Sequence, residues 1–487
     1  MKGKYSFKIA VLGLVLTFAS CTDLLDVEPR ASIDSVTALT TEDAINAAVN
    51  GIYDRLQSTN LYGRDLVAIP EALADNGRAT NKSGRLNPEY QNQINAHFIH
   101  WQTSYFAINQ ANLVLDALPK VEKMTQANKD FVEAQALFIR GLLYFELMRA
   151  YAYEPAVEIK EASKGGVPLL KSGVVDATQI KLESRASIND VYESIYGDLT
   201  ASIAKFTSSG RAATASFANK TAAQAMFSRV ALYRGDYTNA AKYATDALAA
   251  GSVGRFQTRD TYVSAWRAAN HPESIFEIQY QTNENIGVNT SLQTTYTTLV
   301  TSGNRTQTGG FGDLVPTKAL LDAYESEKDA DGKTIVDVRR SLYELGTTGR
   351  GTAEIECTKF LGRSGQVNLD NIPVIRVSEM YLNRAEALAR SGNAAGALTD
   401  LNVIRTRAGL PAATGLSGAA LITEILKQRR LELAFEGHRF FDMKRLGMDI
   451  TKAAPVQSLA FTDFRMLAPI PVREIQANAN LKQNTGY

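Results

Sequence analysis

The sequence predicts a mostly α-helical protein built on tetratricopeptide-like helical hairpins. Two segments share the same spacing of small residues around a glycine, and apolar residues recur at helical spacing over much of the chain. Alternation of the kind that marks a strand is rare, with one clear case at residues 274–280. We therefore expect an α/α superhelix with few short strands and one irregular, loop-rich region.

Gly392 lies in the clearest of these hairpins. Residues 377–404 contain two amphipathic stretches joined by a Ser-Gly-Asn turn, and small residues fall where the two helices would cross. The same template occurs around Gly235: the residues seven before, five after and twelve after the two glycines are Ser228, Ala240 and Ala247, and Ala385, Ala397 and Ile404. Because three or more repeats are usually needed to bury a continuous core, weaker hairpins are expected over 41–118 and 131–206.

The remaining elements follow from capping signals and periodicity. Thr41 can cap a helix whose first turn carries Glu42 and Asp43, which suits the positive end of a helix dipole. Apolar stripes predict further helices over residues 101–118, 131–148, 188–206 and 421–446. Trp101 and Trp266 are expected in the core.

The N-terminus has the pattern of a lipoprotein signal. Lys2, Lys4 and Lys8 precede an apolar run over residues 9–18, which is too short to span a bilayer. Cys21 follows two small residues, so we expect cleavage before Cys21 and lipid on its thiol. The alternative is an ordinary secretory signal followed by a chance cysteine.

These patterns divide the chain into segments of one intertwined globular unit. The predicted segments are a signal peptide at 1–20, a lipidated tether at 21–40, an N-terminal helical region at 41–250, a loop-rich insertion at 251–372, and a C-terminal hairpin with a closing region at 373–487. The formal net charge is +1 at pH 7, which gives no indication of nucleic-acid binding. If Cys21 carries lipid, Cys357 has no disulfide partner, since the chain has two cysteines.

Two patterns resemble metal sites only in part. His97 and His100 have the spacing of a zinc pair, but the sequence offers no third ligand. The acidic stretch from Glu327 matches the first half of a calcium loop, yet its twelfth position is Val338, where a bidentate Glu is required. An ordinary acidic turn is the better interpretation, and we expect no metal and no cofactor.

Glu432 and Glu436 lie one helical turn apart, as a catalytic acid–base pair could. Arg429 and Arg439 each lie three residues from one of them, however, and aromatic residues are interspersed. A partly buried ion-pair network fits this composition better than a catalytic site. No nucleophile with an attendant base can be named, so the protein is not expected to be an enzyme.

Short motifs distributed along the whole mature chain resemble one known family. They lie at residues 47–53, 101–112, 133–145, 166–169, 376–387, 430–442, 469–471 and 483–487. In order and number they resemble the SusD/RagB outer-membrane nutrient-binding lipoproteins of Bacteroidetes, and the acidic residues after Cys21 resemble the surface-export signal of these lipoproteins. The resemblance implies a lipid-anchored protein on the outer membrane, facing the cell exterior.

The resemblance also implies a function. Members sit as a lid on a SusC-like TonB-dependent transporter and capture oligosaccharides for import, or peptides in RagB-like members. The alternatives are a tetratricopeptide scaffold that binds only protein partners, and a surface hydrolase. Ligands in this family contact variable loops, which in this chain are the polar regions near 75–85 and 282–313. The candidate contacts are Asp75, Asn76, Arg78, Asn81, Tyr90, Asn283, Asn285, Tyr296, Arg305 and Phe311.

Overall fold

The two glycine-centred segments form the predicted hairpins in a computed structural model, which describes residues 38–487. Gly235 and Gly392 both have a φ of 83°, a left-handed conformation that glycine adopts without steric cost at the end of a helix. All six small or apolar residues of the shared template are buried. The Ser228 hydroxyl donates a hydrogen bond to the Ala240 carbonyl at 2.8 Å, which joins the two helices of the first hairpin where they cross.

The α-helices range from 4 to 26 residues in length, and the strands are short. The α-helices are α1 Glu42–Leu56, α2 Asp65–Leu73, α3 Asn87–Tyr90, α4 Trp101–Ala117, α5 Gln126–Tyr151, α6 Ile188–Ser209, α7 Lys220–Arg234, α8 Tyr237–Ala250, α9 Tyr262–Ala265, α10 Leu292–Tyr296, α11 Lys318–Tyr324, α12 Val377–Arg390, α13 Ala394–Ala408, α14 Gly418–Leu433, α15 Arg439–Arg445 and α16 Val472–Ala477. The strands are β1 Gly77–Ala79, β2 Ser274–Ile278, β3 Leu314–Pro316, β4 Tyr343–Leu345, β5 Ile355–Cys357 and β6 Ile372–Arg376.

The core is organised around α5. Every residue of this helix from Ala134 to Tyr151 is buried, and α5 packs against α4 on one side and α6 on another. The largest apolar cluster runs from Ile45 to Leu481, so both ends of the described chain contribute to it. Thr41 caps α1 as predicted, and Trp101 and Trp266 are buried as predicted. None of the helices in residues 38–487 is both long and apolar enough to cross a membrane.

Within residues 38–487 the strands form three separate antiparallel pairs, β1–β3, β2–β6 and β4–β5. The strand predicted at 274–280 is β2, and it pairs with β6 immediately before the C-terminal hairpin begins. The prediction of one continuous helix over 421–446 was wrong. The chain leaves the helical conformation between α14 and α15, where Phe435 and Gly437 have φ values of 63° and 83°. A Cβ atom on Gly437 would lie 2.4 Å from the Leu66 carbonyl oxygen.

Glu432 and Glu436 belong to a buried ion-pair cluster centred on Arg376. The Arg376 guanidinium contacts Glu273 at 2.7 Å, Glu432 at 3.2 Å and Glu436 at 2.7 Å, and its side chain is 1% exposed. Further cations, Lys359 and Arg407, contact the same carboxylates at 2.6 and 2.7 Å. The predicted ion-pair network is thereby confirmed.

The cluster holds the Glu432 carboxyl in the ionised form. Burial alone would raise the pKa of the Glu432 carboxyl, but Arg407, Arg376 and Arg339 hold that pKa well below its usual range. A carboxylate kept ionised and enclosed by guanidinium groups cannot exchange protons with a substrate near neutral pH. Glu432 therefore stabilises the fold.

His97 and His100 lie in an aromatic cluster with Phe98 and Phe440. Burial lowers their pKa values to about 3 and about 4, so both rings are neutral at physiological pH. Among residues 38–487 no group of three or more histidine, cysteine, aspartate or glutamate side chains is placed to hold a metal ion. Glu327 is ion-paired with Lys427 at 2.9 Å.

Candidate ligand-binding loop surface

A short strand pair brings the two predicted polar regions together. β1 pairs with β3 in the register Gly77↔Pro316 and Ala79↔Leu314. Immediately beyond the pair, the Thr80 amide donates to the Asp313 carbonyl at 2.8 Å, and the Thr80 hydroxyl donates to the Gly312 carbonyl at 2.7 Å. Residues 80–86 therefore lie beside residues 300–313. We call the face formed by segments 78–86, 300–313 and 344–356 the loop surface.

The buried Glu356 side chain holds the three segments of the loop surface together. Its side chain is fully buried and contacts the Lys82 ammonium at 3.4 Å. It accepts hydrogen bonds from the Thr297 hydroxyl at 2.9 Å and the Thr298 amide at 2.6 Å. A Cβ atom on Gly346 would lie 2.2 Å from this carboxylate, so the third segment passes directly over it. One buried acid thus fixes the relative position of all three segments, and this preorganisation lowers the entropy cost of binding.

Asp313 is a second internal anchor. Its carboxylate accepts from the Ser83 hydroxyl at 2.5 Å and from the Arg85 Nε at 3.0 Å, and its side chain is 1% exposed. Arg85 also donates to the Asn289 carbonyl. These bonds hold the Arg85 guanidinium over the ring of Phe311, 4.6 Å from the ring centroid.

Phe311 is the aromatic centre of the loop surface. The ring is half-buried, and its backbone amide donates to the Thr294 carbonyl at 3.0 Å. In addition to Arg85, the Arg350 guanidinium lies over the ring at 4.3 Å from the centroid. Cations at this distance from a ring are attracted by its electron-rich face. Phe311 and the two arginines therefore form one composite of aromatic and guanidinium groups.

Polar groups surround this composite. Arg78 pairs with Glu354 at 2.9 Å, with both side chains about a third exposed (39% and 31%). The Arg305 Nε donates to the Gly346 carbonyl at 3.0 Å. Asn81 is exposed with a left-handed φ of 59°, and its side chain makes no hydrogen bond to any residue between 38 and 487. Arg78, Asn81, Arg305 and Phe311, nominated from sequence, thus belong to one surface.

Two other nominated residues are corrected by their burial. Asn76 and Tyr296 are each 0% exposed. The Asn76 amide donates to Glu71 at 2.9 Å and accepts from Arg430 at 2.7 Å. The Tyr296 hydroxyl donates to the Val67 carbonyl at 3.1 Å. Neither side chain has surface left for a ligand, so both support the fold beneath the loops.

Asp75 and Tyr90 occupy intermediate positions. The Asp75 carboxylate is 17% exposed and pairs with Arg439 at 2.6 Å and Arg430 at 3.3 Å. Its hydrogen-bonding capacity is largely used by these arginines. Tyr90 is half-buried in α3, which packs against β1, and the Lys452 ammonium lies 4.6 Å from its ring centroid.

Asn283 and Asn285 lie apart from the loop surface. Both are exposed, and the Asn285 amide donates to the Val367 carbonyl at 2.9 Å. Their segment borders a recess, which we call the Phe217 recess. Phe217 is 42% exposed and stands edge-on against Tyr53 at 5.1 Å. The recess is also lined by Asn50, Asp54, Gln57, Gln281 and Glu284.

Sequence reasoning missed Arg85, Arg350, Asp313 and Glu356. Asp313 and Glu356 lie beneath the surface, and nothing in the neighbouring sequence marks them as anchors. The strand pairing that brings the loops together involves three residues on each side, which is too short to recognise in the sequence. The flanking glycines of Arg350 could have marked it as an arginine presented on a turn. The arrangement as a whole offers aromatic stacking together with amide and guanidinium donors on a rigid helical scaffold. Such an arrangement is typical of proteins that bind polar ligands.

Comparison with known families agrees with this class. Residues 355–487 match the SusD family, and residues 23–232 match a family described as starch-binding and associating with the outer membrane. The two matches come from opposite ends of the chain and together cover most of it. The chain belongs to the SusD/RagB family.

Relatives and solved structures cover nearly the full length. The chain is 26% identical to SusD-like protein P2 of Formosa agariphila over an alignment of 535 positions, with 99% of each chain covered. It is 25% identical to the starch-binding protein SusD of Bacteroides thetaiotaomicron over 78% of this chain and 77% of that protein. A putative sugar binding protein from Bacteroides vulgatus superposes with a TM-score of 0.79 at 28% identity, covering 93% of this chain and 100% of that structure.

Proposed function

We propose that this protein captures oligosaccharides at the cell surface through the loop surface. The observation that carries the proposal is the composite around Phe311, where two guanidinium groups lie over a half-buried ring. Sugars present an apolar ring face and a rim of hydroxyls, and these match an aromatic ring and polar donors respectively. The starch- and sugar-binding names of several relatives support the same class of ligand.

The anchoring and delivery steps belong to the same proposal. Cys21 lies outside the described residues, and its lipid would tether the protein to the outer membrane through residues 21–40. From there it would pass ligand to a SusC-like TonB-dependent transporter for import. Replacing Cys21 by Ala should release the protein from the membrane fraction, and full retention of the variant would contradict lipidation.

We propose binding without catalysis, and the contacts of the carboxylates near the loop surface support this proposal. Asp313 and Glu356 are buried beneath the loop surface, and Glu354 is paired with Arg78. The Glu344 carboxylate accepts from the Gly303 amide at 2.7 Å. Glycoside hydrolysis needs two carboxyl groups facing the scissile bond, and these four acids are committed to protein contacts. A bound oligosaccharide should remain intact after prolonged incubation, and its cleavage would favour the hydrolase alternative.

Isothermal titration against panels of oligosaccharides and peptides tests the proposal. The change is Phe311→Ala, and Phe217→Ala in the recess is a matched control because it also removes a partly exposed ring. We expect Phe311→Ala to weaken saccharide binding about tenfold or more, since the stacking face is lost, while Phe217→Ala has wild-type affinity. Binding of peptides and no saccharide would favour a RagB-like role, and binding of neither would favour a protein scaffold.

A further inference from the structure

On the loop surface, two acidic side chains lie deeper than the arginines. The acids Asp313 and Glu356 have side chains 1% and 0% exposed, and they serve as internal anchors. The exposed charged groups of the same three segments are mostly arginines. A ligand that reaches this surface therefore meets mostly guanidinium groups. The two acids of these segments that are not buried, Glu354 and Glu344, are bound by Arg78 and by the Gly303 amide.

Two of these arginines have no acidic partner. Arg78, Lys82 and Arg85 are paired with Glu354, Glu356 and Asp313 respectively. Arg305 and Arg350 are exposed, and neither forms an ion pair with any carboxylate of residues 38–487. No acidic side chain within residues 38–487 neutralises the positive charge of either guanidinium group.

The two unpaired arginines are carried by segments that are fastened to each other. The Thr308 and Thr347 hydroxyls share a hydrogen bond of 2.7 Å. Arg305 donates its Nε to the Gly346 carbonyl, which leaves its terminal nitrogens available. Arg350 is oriented by its position over the Phe311 ring. Arg350 is thus held on the Phe311 ring, and Arg305 is held by the segment that carries Arg350.

A guanidinium group is a planar fork that binds carboxylate and sulfate oxygens in pairs. Building on the proposed function, we infer that the loop surface selects an anionic saccharide, a uronate or a sulfated sugar, whose ring packs against the composite of Phe311 and its arginines and whose acidic group is bound by Arg350 and Arg305. Phe311 would contact the sugar ring, and the two unpaired arginines would bind its acidic group.

Affinity gel electrophoresis with the mature chain tests the ligand class. The probes are polygalacturonate, alginate and chondroitin sulfate, set against neutral starch, xylan and dextran. We expect at least one anionic polysaccharide to retard the protein more strongly than every neutral one. Chemical reduction of the carboxyl groups, or desulfation, should abolish the retardation by that polymer, and the response to each treatment separates uronate from sulfate recognition. Raising the salt concentration should weaken binding.

The double variant Arg305→Ala/Arg350→Ala tests the assigned residues. Its affinity for the anionic probe should fall about tenfold or more, because hydrogen bonds to charged groups are among the stronger ones. Lysine at both positions should restore part of the affinity, since it keeps the charge but loses the fork. Arg473→Ala, which removes an exposed arginine from α16 and lies outside the loop surface, should bind like wild type. Circular dichroism verifies folding of each variant.

The outcomes separate the inference from the function on which it rests. If a neutral polysaccharide binds as strongly as the anionic ones, or if the double variant binds the anionic probe like wild type, the inferred selectivity is wrong and oligosaccharide capture stands. If no polysaccharide of either kind binds, both are overturned.

Discussion

The buried ion-pair cluster and the loop surface use the same residue types in opposite ways. In the cluster, Arg376 is 1% exposed and contacts three carboxylates. On the loop surface, Arg350 is exposed and rests on an aromatic ring. A guanidinium group enclosed by acids has its charge and donors satisfied by the protein, whereas one without an acid retains both for another molecule.

The difference separates stability from recognition. Removing one partner of a buried ion pair leaves an uncompensated charge in a medium that solvates it poorly. Removing an exposed, unpaired arginine leaves nothing uncompensated. Substitutions in the cluster should therefore lower stability with little direct effect on ligand affinity. Substitutions of the unpaired arginines on the loop surface should lower ligand affinity with little effect on stability.

The largest effect is expected for Arg376→Met. This variant leaves Glu273, Glu432 and Glu436 close together without their shared cation, and we expect it to lower the free energy of unfolding by about 3–5 kcal/mol. The matched variant Arg350→Met should change that free energy by less than about 0.5 kcal/mol. Urea unfolding measures both. Equal stabilities of the two variants would remove the basis for the comparison.

Two glycines with the same φ, one in the C-terminal hairpin and one in the closing region, should differ in how much their substitution destabilises the fold. Gly392 and Gly437 both have a φ of 83°. An added Cβ at Gly392 meets open space, but at Gly437 it would lie 2.4 Å from the Leu66 carbonyl oxygen. Gly392→Ala should cost about 1–2 kcal/mol from backbone strain alone, and Gly437→Ala about 3 kcal/mol or more because the backbone must also move. Similar melting temperatures for the two variants would contradict this packing.

A smaller effect on stability is expected from Asp370, whose carboxyl group lies outside the ion-pair cluster. Burial raises the pKa of Asp370 to about 7, above its ordinary value near 4. Because the folded state holds this proton more tightly than the unfolded chain, the contribution of Asp370 to stability is present below pH 4 and is lost as the pH rises towards 7. A shift of this size is worth about 4 kcal/mol, and water screens part of it because Asp370 is only half-buried. Asp370→Asn should therefore be more stable than wild type at pH 8 by about 2 kcal/mol and equal to it near pH 4. Parallel pH profiles of the two proteins would show that Asp370 does not titrate in this range.

The scaffold was predictable because its signals are local. The offsets around Gly235 and Gly392 place small residues at helix crossings, and every template position proved buried. The charge pattern around Glu432 likewise indicated an ion-pair network. Its partners were not predicted, because Glu432 pairs with Arg376 and Arg407, which are distant in sequence. The break at Phe435 was missed, because a left-handed phenylalanine depends on the tertiary contacts that surround it.

The loop surface was predictable only in part. Composition identified both polar regions, since Phe311 and Asn81 lie in stretches without apolar periodicity. Their meeting depends on a three-residue strand pair between segments more than 200 residues apart, which leaves no periodic signal. Asn76 and Tyr296 were misassigned because a polar or aromatic residue in a loop sequence can still turn inward to satisfy buried groups.

A structure of the protein bound to its best anionic oligosaccharide tests the central claim most directly. The account predicts a sugar ring against Phe311, with its carboxylate or sulfate within hydrogen-bond distance of Arg350 or Arg305. A saccharide seated in the Phe217 recess and touching none of these three residues would contradict it.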